Sequence, residues 1–147
     1  MKIRDALLGV NRLFLDTAPV IYLVEKNPQF LNAIVAIFGT IDQNQIRAVV
    51  SPITLAECLV GAYRNDQVQV AGNFIDYLTQ GDTEFILTTM AIANRAAKLR
   101  ADHNLQMADA MQIATAIDSG CEAFLTNDLQ LRRVSGIRIL VVSDLQN

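Results

Sequence analysis

The sequence predicts a three-layer α/β/α fold, with a central parallel sheet of about four to five strands covered by helices on both faces. Three observations carry that prediction. Short apolar runs alternate with longer stretches whose apolar residues recur at helical spacing. None of those runs has the regular polar alternation of a strand with one wet face, so both of its sides are expected to be covered, as in parallel sheets. And at both Asp16 and Asp128 a strand-like run ends in an acid that opens a helical pattern. In open α/β sheets that position faces the crevice beyond the carboxyl ends of the strands.

Taken in order, residues 1–11 read as a short helical lead-in. The run Arg12–Leu15 is the first strand, ending at Asp16, and Thr17 and Pro19 open a helix through Val20, Ile21, Leu23 and Val24. Asn27 and Pro28 stop and restart the chain ahead of an amphipathic helix carrying Phe30, Leu31, Ile34, Val35, Ile37 and Phe38. Residues 46–50 form the next strand. Ser51 and Pro52 then start a helix whose predicted apolar arc is Ile53, Leu55, Ala56, Leu59, Val60 and Tyr63, with Glu57 at its edge. Asp66 is placed to cap a helix through Val68, Val70, Phe74, Ile75, Tyr77 and Leu78. Residues 85–87 give a third strand, and Thr88 or Thr89 caps a helix running to about Asp102. The stretch 107–128 supplies a helix with one apolar face (Met107, Ala110, Met111, Ile113, Ala114, Ile117). Gly120 stops that helix, and the strand 121–126 and Asp128 follow. Residues 137–142 close the sheet.

At 147 residues the chain suits one core and is short for two. Residues 1–147 are therefore expected to form one domain, with no linker or repeat. Apolar residues make up 52% and charged ones 18%, which is more apolar than an average soluble domain and implies a surface covered by a partner. No uncharged apolar stretch is long enough to span a bilayer. Asp5, Asn11 and Arg12 interrupt any signal-peptide core behind Lys2 and Arg4, so a cytoplasmic protein is expected. Cys58 and Cys121 lie far apart in apolar settings and read as small buried hydrophobes. His103 is the only histidine, which argues against a histidine-based triad or a His-rich zinc site. A net charge of −3 excludes any argument from overall basicity to nucleic acid, leaving local patches or metal to do that work.

Four acids stand out from the fifteen. Asp16 and Asp128 close apolar strands, while Glu57 and Asp109 lie on the rims of apolar helix faces. Each has an ordinary explanation alone: Asp109 as a charge complementing a helix dipole, Asp128 as an N-cap with Asn127 as rival, Glu57 as a wet-headed lid over the core's rim. Together they aim at one edge of the sheet. Two such charges near 4 Å apart repel by about 4 kcal/mol at an effective dielectric constant of about 20, so a convergent set must protonate or hold cations. Oxygen-only donors favour Mg²⁺ or Mn²⁺ over zinc. The phosphate-cradling patterns GxxxxGK[ST] and GxGxxG are both missing, so a phosphodiester bound from outside fits better than a nucleotide cofactor.

The strings FLDTAPVIYLVE, SPITLAECLVGAYR, MADAMQIATAIDSGCEAFLTND and RILVVSDL resemble the PIN-domain family, and within it the VapC-type ribonuclease toxins of toxin–antitoxin pairs. The resemblance implies a PIN-like fold and metal-dependent cleavage of RNA, with a homodimer and an inhibiting antitoxin as partners. It also implies an acidic site of Asp16, Glu57, Asp109 and Asp128, with Asp16 and Asp109 as principal metal ligands, and supporting roles for Thr17, Thr54, Thr126 and Asn127. Two departures are visible: the first motif reads DTAP where DTN is commoner, so Ala18 supplies no amide, and the chain begins about ten residues ahead of compact members. For RNA contact the candidates are Arg132 and Arg133 beyond Asp128, and Arg100. Arg95 and Lys98 read better as a solvated helix face.

Two other classes fit parts of the pattern. A PIN-like binding module could keep the acids without catalysis, acting within a protein or RNA complex. A phosphoacceptor receiver domain also clusters aspartates, but its chemistry wants a lysine on a late strand end, and no lysine follows Lys98.

Overall fold

The computed structural model describes residues 1–147. Five parallel strands lie in the order β3-β2-β1-β4-β5, with β1 Arg12–Leu15, β2 Arg47–Val50, β3 Glu84–Phe85, β4 Ala123–Thr126 and β5 Arg138–Val141. Seven helices cover them: α1 Ile3–Ala6, α2 Thr17–Val24, α3 Leu31–Gln43, α4 Pro52–Arg64, α5 Val68–Thr79, α6 Met90–His103 and α7 Met107–Asp118. This is the predicted α/β/α architecture. None of the helices is long and apolar enough to cross a membrane.

Alternation along the strands divides the core. Leu13, Leu15, Val50, Leu125 and Leu140 join α1 to α5 on one face, and Phe14, Val49 and Phe124 join α6 and α7 on the other. Phe14 and Phe124 are register partners on neighbouring strands, and their rings stack at 5.2 Å. Each is fully buried, which contributes about 1.5–3 kcal/mol per side chain. The lead-in belongs to the first face. Ile3, Ala6, Leu7 and Val10 are buried there, Ile3 N donates to Gln146 O, and Arg138 donates to the carbonyls of Ala6 and Leu8.

One device ends four helices. After α2, α3, α4 and α7 the chain enters a left-handed residue (Lys26, Gln45, Asp66, Gly120), whose N–H and the next residue's N–H bond back into the last helical turn. This corrects three expectations. Ile46 is not in β2 because its N–H bonds to Ile41 O, closing α3. Cys121 likewise bonds to Ala116 O, so β4 starts at Ala123. Asp66 does not cap α5: it is the left-handed residue closing α4, and α5 starts without a side-chain cap. The third strand is also shorter than expected and ends at Phe85. Ile86 N still reaches Val50 O, but β2 turns into α4 at Ser51, so Leu87 has no neighbour to pair with and is exposed. The last strand keeps only its middle, because Val142–Asp144 coil into a turn.

The helix α4 is rotated from its predicted orientation. Its buried residues are Thr54, Cys58 and Ala62, whereas Ala56, Val60 and Tyr63 face outward. Sorting by hydropathy misassigns this helix because Thr54, a polar residue, is wholly buried.

Candidate functional site

The carboxyl ends of β1 and β4, the first two turns of α2, the second turn of α4 and the first turn of α7 surround a cavity of about 310 Å³. Asp16, Glu57, Asp109 and Asp128 all line it, with Thr17, Ala18, Ile21, Tyr22, Thr126 and Asn127. No lysine or arginine does. Larger cavities open elsewhere; the one of about 480 Å³ is lined by Arg47 as well as Asp42 and Asp82. A neighbouring cavity of about 440 Å³ also has acids and no cation, but its Asp42, Asp76 and Asp82 are all exposed, whereas the smaller one gathers four acids, one of them buried, at the carboxyl ends of the strands.

Asp16 directly follows β1 and caps α2. Its Oδ1 accepts from Thr17 N at 2.9 Å and its Oδ2 from Thr126 Oγ1 at 2.8 Å. It is 9% exposed. Burial pushes its carboxyl up to about 6; the Thr17 and Thr126 donors oppose this, and the charges of Asp109 and Glu57 add to it. Half-buried Asp109 is also raised, first by burial and then by Asp128 and Glu57. Glu57 is exposed, its Oε1 accepting from Thr17 Oγ1 at 2.8 Å. Asp128 caps the turn Leu129–Arg133 by accepting from Gln130 N, and its own N–H donates to Thr126 Oγ1 at 3.1 Å. Thr126 therefore connects Asp16 to Asp128.

The supporting residues divide. Thr17 and Thr126 touch the acids directly. Asn127 faces the cavity but is tied elsewhere, its Nδ2 donating to Tyr22 Oη and its Oδ1 accepting from Ser143 N and Oγ. Thr54 lies beneath the cavity, not in its wall. Among the basic candidates, Arg132 is paired with Asp144, and Arg100 donates to Leu105 O, closing the α6–α7 turn. The exposed Arg133 side chain makes no hydrogen bond or ion pair within the chain. Arg95 and Lys98 lie on the exposed side of α6, beside Asp118.

Sequence reasoning missed Tyr22, Ser51 and Gln112. Tyr22 is stacked on Phe30 at 4.4 Å and lines the cavity. Gln112 is buried and bonds to Ser51 and Thr54. The available signal was a lone amide one helical turn after Asp109, on a face otherwise of small and apolar residues.

In kind, the donors fit a hard divalent ion: they are all oxygens, one is a buried carboxylate held by two donors, and no cation of the chain competes. Their spacing is wider than a closed chelate. As they lie, no three Asp, Glu, His or Cys side chains of the chain are close enough together to hold one ion.

Comparison with known proteins agrees with the fold. The model of the PIN domain matches residues 13–137. Among curated proteins none matches the sequence. The fold is similar to a chain in the structure of VapBC2 from Rickettsia felis bound to a DNA fragment from their promoter, at TM-score 0.73 and 18% identity over 88% of this chain and 98% of that one. DNA-bound VapBC from Salmonella typhimurium gives 0.67 and 23% over 89% and 98%. The Mycobacterium tuberculosis toxin VapC20, described as cleaving the sarcin–ricin loop, gives 0.65 and 14% over 76% and 86%.

Proposed function

This chain belongs to the PIN-domain family, and on that premise we propose that it is a Mg²⁺- or Mn²⁺-dependent endoribonuclease, the toxin of a toxin–antitoxin pair. The observation that carries the reading is the shared cavity: four acids and no cation at the carboxyl edge of the sheet. Family membership displaces the receiver-domain alternative.

In this reading Asp16 and Asp109 hold the ion, with Glu57 and Asp128 completing its surroundings. When bound, such an ion lowers the pKa of an attacking water and offsets charge on the phosphate. The chain's own residues do the rest. Thr17 and Thr126 orient the Asp16 carboxylate, Thr17 also holds Glu57, and Thr126 ties Asp128 to Asp16. Arg133 is free to meet a phosphate of the RNA. The whole chain acts as one domain, in the cytoplasm, as a homodimer that an antitoxin silences.

The test is cleavage of single-stranded and structured RNA with Mn²⁺. Asp109→Asn is expected to lower the rate by more than about 100-fold, since even outer-shell changes at metal sites cost about 10–100-fold. Equal cutting by both proteins, or none by the wild type with any divalent ion, overturns the reading. The open spacing of the acids favours a second one, a binding module that keeps the cavity without cleaving. Melting temperature separates them, because an ion bound only to the folded protein raises it by mass action, whereas the module's is indifferent to Mg²⁺.

A further inference from the structure

We infer that Gln112 is a positioning residue that sets the separation of the acid-bearing elements from beneath the cavity. The inference rests on the metal-dependent reading above.

Gln112 is 1% exposed, and Ser51 and Thr54 are fully buried. Its Oε1 accepts from Ser51 Oγ, and its Nε2 donates to Thr54 Oγ1 at 2.8 Å. Thr54 Oγ1 also accepts from Ser51 N at 3.3 Å and spends its own proton on Leu15 O at 3.4 Å. Ser51 Oγ accepts from Ile53 N at 3.1 Å. The network is complete: no buried side-chain nitrogen or oxygen in the chain lacks a partner.

Each anchor lies one step from an acid. Leu15 directly precedes Asp16. Thr54 is one helical turn before Glu57 on α4, and Gln112 is one turn after Asp109 on α7. Residues three apart share a helix face, so the amide that joins α7 to the start of α4 also sets how far Asp109 stands from Glu57. Packing alone does not call for glutamine there, because methionine fills a similar volume without polar atoms to satisfy. Burying an amide costs free energy unless every bond is made. The gain is a directional link between two helices that carry mutually repelling carboxylates.

The test compares wild type, Gln112→Met and, as a control in the opposite core, Ile37→Val, reading melting temperature against Mn²⁺ concentration and RNA cleavage alongside. Ile37→Val should melt lower without metal and keep the wild-type Mn²⁺ dependence. Gln112→Met should need about 10-fold more Mn²⁺ for half of its melting shift and for half-maximal cleavage, the scale of outer-shell effects. If Gln112→Met does not fold, Thr54→Val cuts the same network from α4 and should give the same displacement. A wild-type Mn²⁺ dependence in whichever variant folds overturns this inference alone. So does a failure of both to fold, which would make the network a fold determinant. A wild type indifferent to Mn²⁺ in both readouts overturns the metal-dependent reading with it.

Discussion

The two ends of the sheet treat the same side chain in opposite ways. Where the strands begin, Glu84 and Glu122 are compensated. Arg12, the first residue of β1, donates to Glu84 at 2.6 Å and to Ser119 O at 2.9 Å, and the N–H groups of Asn11 and Arg12 donate to Glu122 at 2.9 and 3.0 Å. The bond from Arg12 holds Glu84 below its ordinary range. At Glu122 burial pushes upward, but the amide donors outweigh it and the carboxyl is lowered. Where the strands end, burial leads and like charges reinforce it, so Asp16 and Asp109 are raised. At the first end Glu84 and Glu122 have their donors. The second end is held together against its own repulsion, which is what a site awaiting positive charge requires and a structural ion pair does not.

The largest test of that contrast is Asp16→Asn. The folded carboxyl titrates near 6 against an ordinary 3.8, so the folded state binds the proton more tightly. Stability from this group is fully present below the lower value and is lost as pH rises through the upper one. At about 1.4 kcal/mol per pKa unit, the ionised group costs roughly 2–3 kcal/mol at pH 7 without metal. Asp16→Asn should recover much of that in denaturant unfolding while cleavage falls more than about 100-fold. Between pH 5 and 7, where the lowered Glu84 and Glu122 are already ionised, metal-free wild type should lose more stability than the variant, which keeps only the raised Asp109 of the two. A flat wild-type profile would break the comparison at its stronger end.

The opposite operation at the other end is Arg12→Met. It strips Glu84 and Ser119 O of their donor in a half-buried setting and should cost about 1–2 kcal/mol. Its Mn²⁺-dependent melting shift should match the wild type's. A changed metal response would mean that the two ends are coupled through β1 and are not separately built.

How much of this the chain announced depends on what each feature is made of. Strands β1, β2 and β4 and the acids at their ends were legible because apolar runs and the residues closing them are local. Asp109 was legible too, in a row with buried Ile113 and Ala116. The buried side of α4 was not, since Thr54 is interior through partners on β1 and α7 that no window of sequence contains. Gln112 escaped for the same reason. Ile46 and Asp66 were misassigned because helix-closing bonds claimed their N–H groups, and at Gln45 and Asp66 the left-handed position is filled without the glycine that usually marks it. The role of the lead-in was invisible as well, because its partners are Arg138 and Gln146 at the far end of the chain.

The smallest effect divides a single turn. Asp128 opens Leu129–Arg133 and faces the cavity without a cation, while Arg132, in the same turn, already neutralises Asp144. Arg132 thus belongs with the compensated acids, although it lies at the uncompensated end. Arg132→Gln breaks a pair whose side chains are 49% and 46% exposed, and should change stability by no more than about 0.5 kcal/mol. Its guanidinium is occupied, so the salt dependence of RNA binding should stay as it was. Arg133 has no partner within the chain and is one residue further on. Arg133→Gln should leave stability alone and lower the slope of log affinity against log salt by about 0.7, the share of one phosphate contact on a single strand. If Arg132→Gln moved the slope and Arg133→Gln did not, RNA would have to displace Asp144 on binding, and the rule that compensated acids stay out of function would fail at the turn beside the cavity.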